Sequence, residues 1–444
     1  MSATLESPAE RGPATRIQRL RDSKLVRQNL VLFLGGSTAG VGGFVYHAIA
    51  GRALGPRRYG EVTALFSLYT VGTIANLTLV LVLARYAANL ETAGRLGAVR
   101  HIVLRASRLL ALPAVAFCIL TAVLAVPVAR FENFESPLPV IWLGVAIAAY
   151  CYTAIPRGVM QGTQRFTALA GNLTLELMVR VAGLVLLLAV GLAVTGSMIA
   201  ILAGVTFAYV FGMWSVRDVL RVERDPDPMR MRTMLSFGLT AAAGTLGILL
   251  LYSLDVVLAE HYLNKYDAGI YGSLNKIEVI IYYGTLSVSQ VLFPRVVEAI
   301  STRRHPGRLL LLSGGLMTML GLGAVIVFGL TRGLVAALLY GSAFAAAQPY
   351  VLPMSLIGLG LSLDNLLVQF LVAVHDRVFT WMLAVACTIL VALIAVFHAS
   401  LAQIVVDVMV TIYGLLATLG VRCVLLLPRL HSEAMAVEPA EPAA

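Results

Sequence analysis

Across 444 residues this chain is 59% hydrophobic and only 13% charged, with a net charge of +10 and four cysteines. A soluble domain carries roughly 25% charged residues, so the composition excludes a water-soluble globular protein and leaves no stretch long enough for a separate soluble domain. The positive charge falls in short segments between apolar runs, which points to topology control and attraction to anionic membrane lipids and excludes nucleic acid as a partner.

In chain order, residues 1–28 form a basic, weakly amphipathic N-terminal segment (Arg16, Arg19, Arg21, Lys24 and Arg27) expected on the cytoplasmic membrane face. The apolar run that follows has spanning length and reads as a retained helix, not a signal peptide. A helix needs about 20 apolar residues to cross a bilayer. By that measure six spans fall near 30–53, 61–87, 107–129, 138–160, 167–193 and 196–216. Six more fall near 233–259, 268–295, 309–331, 346–373, 378–397 and 401–426. The fold class is therefore an all-α polytopic membrane protein of about twelve transmembrane helices. Between the two sets, residues 217–232 contain Glu223-Arg224-Asp225-Pro226-Asp227-Pro228, a charged, proline-broken stretch expected to be a cytoplasmic linker without helix. The organisation expected is an N-terminal six-helix lobe over 29–216, a C-terminal one over 233–427, and a Pro/Ala/Glu-rich tail over 428–444 expected to be disordered.

The distribution of basic residues sets the orientation. With the N-terminus inside, only Arg52, Arg57, Arg58, Arg130, Lys265 and Arg332 face outward, and Arg180 and Lys276 fall inside spans. The remainder of the 33 lysines and arginines are counted with the cytoplasmic segments, including Arg85, Arg157 and Arg165. That bias predicts both termini in the cytoplasm of a cell-membrane protein. Trp142, Trp214 and Trp381 lie near span ends, where an amphipathic ring prefers the headgroup level.

The halves resemble each other. Leu54-Gly-Pro-Arg-Arg-Tyr-Gly60 and Leu263-Asn-Lys-Tyr-Asp-Ala-Gly269 match in leucine and glycine at one offset of 209 residues. Each is expected as a short outside hairpin between the first two spans of its half. Arg85 and Arg295 then mark the inside end of each half's second span. Six is an even number, so both halves insert alike, which implies a pseudo-two-fold axis along the membrane normal with a cavity between lobes.

These residues also carry a family resemblance. Arg52-Ala-Leu-Gly-Pro-Arg-Arg-Tyr-Gly60, Leu254-Asp255-Val-Val-Leu with Ala268-Gly-Ile-Tyr271, Glu176-Leu-Met-Val-Arg180 and Tyr340-Gly341 resemble the polysaccharide biosynthesis proteins, or oligosaccharide flippases, of the multidrug/oligosaccharidyl-lipid/polysaccharide (MOP) exporter superfamily. Asn264-Lys265, where the first half has Gly-Pro, departs from the pattern. The resemblance covers roughly residues 25 to 430. It implies a transporter that alternates between inward- and outward-open states and moves a lipid-linked glycan, carried on a polyprenyl diphosphate, alongside polysaccharide polymerase and glycosyltransferases.

A charge at the bilayer centre costs at least about 2.5–3.5 kcal/mol on insertion scales, so each intramembrane charge needs a reason. Glu176 and Arg180, four apart, share a helix face and form either a structural ion pair or a cavity site in which the guanidinium meets a diphosphate. Asp255 is either an inter-helix hydrogen-bonding group or a carrier of a coupling proton or cation. Lys276 and Glu278, two apart, point to different sides. Asp364 and Asn365 lie below Pro349 and Pro353, at either a hinge or a packing contact. Asp407 lies near the start of the last span. The expected substrate contacts are Arg180, Lys276, Arg85 and Arg52, and the expected ion-coupling groups are Asp255, Glu176 and Asp364. No CxxC, HExxH or GxxxxGK[ST] pattern occurs, so no metal, cofactor, ATP hydrolysis or catalytic residue is expected. Two other readings stand beside the flippase: a drug or cation antiporter of the same superfamily, and a membrane-embedded glycosyltransferase or ligase.

Overall fold

Gly55 has φ 68° and ψ 172°, a backbone conformation essentially confined to glycine, and Pro56 after it has no amide proton to leave unpaired. This pair breaks α1 (Lys24–Thr92) into two arms in the computed structural model of the chain, which describes residues 24–225, 231–301 and 306–436. The arms fold back on each other: the His47 and Phe66 rings lie 4.6 Å apart between centroids, and Tyr59 Oη is 3.1 Å from His47 Nδ1. An unbroken helix would hold the first pair about 28 Å apart. The hairpin expected over Leu54–Gly60 is thus a reversal with one non-helical residue and no loop.

The first lobe continues through α2 (Leu96–Phe131), α3 (Leu138–Gly162), α4 (Phe166–Ala189) and α5 (Ala193–Ser215), with the short α6 (Arg217–Arg221) after it. The second lobe comprises α7 (Met231–Tyr262), α8 (Lys265–Ser301), α9 (Pro306–Leu330), α10 (Arg332–Tyr340), a 3-10 helix over Ser342–Tyr350, α11 (Val351–Ala373), α12 (Val378–Val396) and α13 (Leu401–Ala436). Among the described residues eleven helices are long and apolar enough to cross a membrane, and α1 does so with both arms, giving twelve passes. Side chains such as Leu112 and Val123 on α2 and Leu311 and Leu330 on α9 stand exposed. In water that surface would drive aggregation; against lipid tails it costs nothing.

Several sequence expectations change here. Residues 217–221 of the expected linker are helical, and the segment after them docks on the first lobe: Arg95 Nε donates to Asp225 Oδ2 at 2.8 Å and Arg100 Nη1 to the Val222 carbonyl at 2.7 Å. Arg165 forks onto both oxygens of Asp218, at 2.7 and 2.6 Å, and holds that carboxyl below its ordinary pKa. Helix α13 runs on through Ala436, so the first part of the expected tail is helical. Its remainder, residues 1–23 of the basic segment and residues 226–230 lie outside the described residues. Arg157, counted from sequence among the cytoplasmic basic residues, is buried within α3.

The two lobes meet most closely at the repeat motif itself. A Cβ on Gly60 would stand 3.0 Å from the Gly269 amide nitrogen, and one on Gly269 would stand 1.8 Å from the Pro56 carbonyl oxygen. A Cβ on Gly272 would meet Thr63 Oγ1 at 2.1 Å. Gly60 and Gly269, and again Thr63 and Gly272, are partners under the 209-residue offset, so equivalent residues touch each other, as residues beside a two-fold axis must. Gly269→Ala is expected to destabilise this seam by about 1–3 kcal/mol through overpacking, read as a lowered thermal midpoint of the solubilised protein. Gly315→Ala, whose Cβ would meet nothing within 4 Å, serves as the control and leaves the midpoint unchanged or slightly higher.

Candidate functional site

The apolar bundle buries two polar clusters, one in each lobe. In the first, Glu176 of α4 accepts from two arginines at once, Arg157 of α3 on one oxygen and Arg180 of α4 on the other. Arg157 Nε also donates to Asn172 Oδ1 at 2.8 Å, and Asn172 Nδ2 donates to the Ala208 carbonyl of α5 at 2.6 Å. The guanidinium of Arg157 lies 5.4 Å from the centre of the Tyr150 ring and that of Arg180 lies 5.7 Å from that of Tyr69. Such contacts recover part of the cost of burying a cation. Two guanidinium groups face one carboxylate, so the cluster keeps one positive charge in excess. Arg180 Nε is buried without a hydrogen-bond partner.

The second cluster lies on α7 and α8, with Asp364 of α11 and Asp407 of α13 buried in the same lobe. Tyr271 Oη donates to Asp255 Oδ2 at 2.6 Å, and Asn275 Nδ2 donates to the Tyr252 carbonyl at 3.1 Å. Lys276 Nζ donates to Asn275 Oδ1 at 3.2 Å. Asp255, Glu278, Asp364 and Asp407 are all buried, and each has at least one side-chain oxygen with no partner; both oxygens of Asp364 have none. Asp255 and Glu278 are the carboxylates within electrostatic reach of Lys276, and Asp364 and Asp407 add two more to the interior of this lobe. The two lobes share a helical plan but carry interiors of opposite polarity.

The clusters approach each other at the seam. Lys276 Nζ, from the second lobe, lies 5.4 Å from the centre of the Phe66 ring in the first. Buried His47, on the first arm of α1, lies within electrostatic reach of both Lys276 and Arg180. Tyr59 Oη donates to Tyr340 Oη at 3.3 Å across the same seam, and the Tyr340 ring fills the space beside Gly51. This is the neighbourhood in which the sequence places a cavity, with Arg180 on one side and Lys276 and Asp255 on the other.

Other expected site residues are not brought together. Arg52 is exposed three residues before the Gly55 break, and Arg85 is exposed far down the second arm, about 45 Å of helix from the break. They sit towards opposite ends of the bundle and cannot contact one headgroup. Glu176, expected to couple an ion, has both oxygens occupied by arginines. Arg157 and Asn172 are the residues that sequence reading missed. Arg157 lies within the apolar run assigned to span four, which is a signal, but its partner is on another helix and no local spacing reveals it. Among the described residues no group of three or more His, Cys, Asp or Glu side chains could hold a metal ion.

Glu176→Gln would leave two buried guanidinium groups without a counter-charge. Breaking a buried pair from one side costs about 3–5 kcal/mol, so the expected outcome is a sharply lowered thermal midpoint and poor recovery of folded protein. Replacing Glu176 and Arg157 together by glutamine is expected to cost less than Glu176→Gln alone, because it leaves one buried guanidinium without a counter-charge instead of two.

Comparisons with known proteins agree with this plan. The model of a family described as polysaccharide biosynthesis protein matches residues 25–300. No curated protein sequence matches. Among solved structures, the inward-facing conformation of a multidrug resistance MATE family transporter of the MOP superfamily aligns with a TM-score of 0.73 at 13% identity, covering 88% of this chain and 95% of that one. The outward-facing conformation of such a transporter gives 0.64 at 13% identity over 91% and 95% of the two chains. A MOP superfamily transporter from Pyrococcus furiosus, described as having a binding pocket of reverse polarity, gives 0.61 at 14% identity over 91% and 96%. At these identities the likeness establishes the shared fold.

Proposed function

The chain belongs to the polysaccharide biosynthesis protein family, and from that premise we propose that it translocates a lipid-linked oligosaccharide or polysaccharide precursor across the cytoplasmic membrane by alternating access. The observation that carries the proposal is the approach of Arg180 and Lys276, one from each lobe, to adjacent rings at the seam: Lys276 Nζ is 5.4 Å from the Phe66 ring, that ring is 5.9 Å from Tyr69, and the Arg180 guanidinium is 5.7 Å from Tyr69. A diphosphate linking a polyprenyl chain to a sugar needs cationic donors inside an otherwise apolar path. A guanidinium and an ammonium supply them, in a setting where a charge-assisted hydrogen bond is worth about 1.5–3 kcal/mol. The seam is closed at the Gly55 end, which the basic-residue bias puts outside. The conformation is then inward-facing, in accord with the higher TM-score to the inward-facing relative.

In this reading Arg157 and Glu176 are fixed scaffolding for Arg180. Asp255 and Asp364, with unpartnered oxygens in the second lobe, are the places for a coupling proton or cation. The same acidic interior favours a second reading, a drug or cation antiporter, because carboxylates in an apolar chamber also suit a cationic substrate.

Two experiments separate the readings. In proteoliposomes, flipping of a fluorescent polyprenyl-diphosphate oligosaccharide is expected to fall about tenfold or more with Arg180→Gln and with Lys276→Gln. Normal surface polymer in a strain lacking this gene and any paralogue, or drug resistance conferred by overexpression with no glycan-lipid movement, would replace the flippase by the antiporter. Asp255→Asn is expected to abolish the dependence of flipping on an imposed ion gradient while leaving exchange down a lipid gradient measurable.

A further inference from the structure

The closed end of the seam carries polar contacts that the substrate path does not use. The segment joining α2 to α3 reaches across to the second lobe: Asn133 Nδ2 donates to the His261 carbonyl at 3.1 Å. The His261 imidazole stacks on Phe131 with centroids 3.8 Å apart and meets the Phe131 carbonyl through Nδ1. Lys265 Nζ, at the start of α8, donates to Glu61 Oε1 at 3.1 Å. Outside this layer Glu135 lies between Arg58 at 3.3 Å and Lys265 at 3.9 Å.

Beneath the layer are two carboxylates with no cation of their own. Glu260 of α7 is 3% exposed, and neither of its oxygens has a hydrogen-bond partner. Its Oε2 lies 2.3 Å from where a Cβ on Gly60 would stand, so it points at the glycine contact that joins the lobes. Glu132, at the end of α2, is 2% exposed, and its Oε2 is likewise unpartnered. The charged groups facing Glu260 are Glu61, Glu132 and Lys265. Lys265 is already bound to Glu61, which is itself 1% exposed. Three buried carboxylates from α1, α2 and α7 thus share one ammonium. Two of them held ionised and unpaired in a medium of low dielectric would repel each other and forgo hydration that nothing replaces.

We infer that the outer seam is a proton-binding site, in which Glu260 and Glu132 retain at least one proton while the lobes are closed, and that losing it weakens closure. Glu132 lies outside the membrane spans, and burial pushes its pKa up to about 8. Once the lobes part, Glu132 meets water and its carboxyl returns to the ordinary range near 4.3. The closed state thus binds the proton more tightly than the open state. The closing contribution is complete below the open-state value, declines as pH rises, and is gone above about 8. External acidity holds the outer gate shut, and external alkalinity releases it. The consequence for transport rests on the alternating-access reading; the proton chemistry of the seam does not.

The test uses the full-length protein in lipid nanodiscs with Cys118, Cys151, Cys387 and Cys423 replaced by alanine. Spin labels at Arg57→Cys and Tyr266→Cys, exposed positions on either side of the seam, report its width by double electron–electron resonance. Between pH 5 and 8 the closed-to-open ratio is expected to fall by up to about tenfold per unit and to level off above that. Glu260→Gln, and independently Glu132→Gln, is expected to reduce that slope at least severalfold and to keep the short distance dominant at pH 9. Two distance populations whose ratio ignores pH, or an unchanged slope in both glutamine variants, would overturn the proton site and leave alternating access standing. A single short distance at every pH in every variant would overturn both.

Discussion

Inside a bilayer no water is available to complete a hydrogen bond, so every polar group must find its partner within the protein. That constraint shapes this molecule at each level. It leaves helices as the spanning elements. It makes Glu176 the meeting point of Arg157 and Arg180, and it sends Asn172 on to the Ala208 carbonyl. The polar atoms that evade the constraint are therefore informative. Arg180 Nε, Asp255 Oδ1, Glu278 Oε2, both oxygens of Asp364 and both of Glu260 lack partners in a setting where that is costly. Each lies in one of three places: the first-lobe cluster, the second-lobe cluster or the closed end of the seam.

The repeat explains how one plan carries different chemistries. Under the 209-residue offset Asp255 corresponds to Tyr46 and Lys276 to Ser67. Tyr46 Oη donates to the Ser197 carbonyl at 2.9 Å, a neutral contact where the second lobe holds a carboxylate. The halves keep the backbone features that closure needs, the paired glycines and the reversal beside them, and differ in the side chains that line each interior. Symmetry is retained at the axis, where equivalent residues touch and any bulk would push the lobes apart. Away from it, one lobe became basic and the other acidic.

The seam is also where stability and motion meet. Backbone lies against backbone at Gly60, Gly269 and Pro56, with the Glu260 carboxylate aimed at the contact, so a small shift removes many contacts together. An interface of this kind is two-state rather than continuously deformable. The charged layer above it, built from Lys265, Glu61, Glu135 and Arg58, adds interactions whose strength depends on hydration and on the charge of their neighbours. The packing makes the closed state definite, and the carboxylates beneath decide how readily it gives way.

Much of this architecture was legible in the residues. Hydropathy set twelve passes, the glycine and leucine matches located the repeat, and Gly55-Pro56 marked the first reversal, because these signals are local and their physics is backbone conformation and transfer from water. The pairing of Glu176 with Arg180 was legible for the same reason, since four residues make one helix face. What the sequence could not supply was the third member, Arg157, or the meeting of Glu61, Glu132 and Glu260. Those contacts join helices far apart along the chain, and no periodicity encodes them. Nor could it separate Arg52 and Arg85 from the site, because sign of charge says nothing of depth along a helix. The sequence by itself determined that this chain lives in a membrane as two similar halves. Tertiary structure alone decided which charges are neutralised, which face each other across the seam, and which are left with a proton to hold, because those depend on distances between helices.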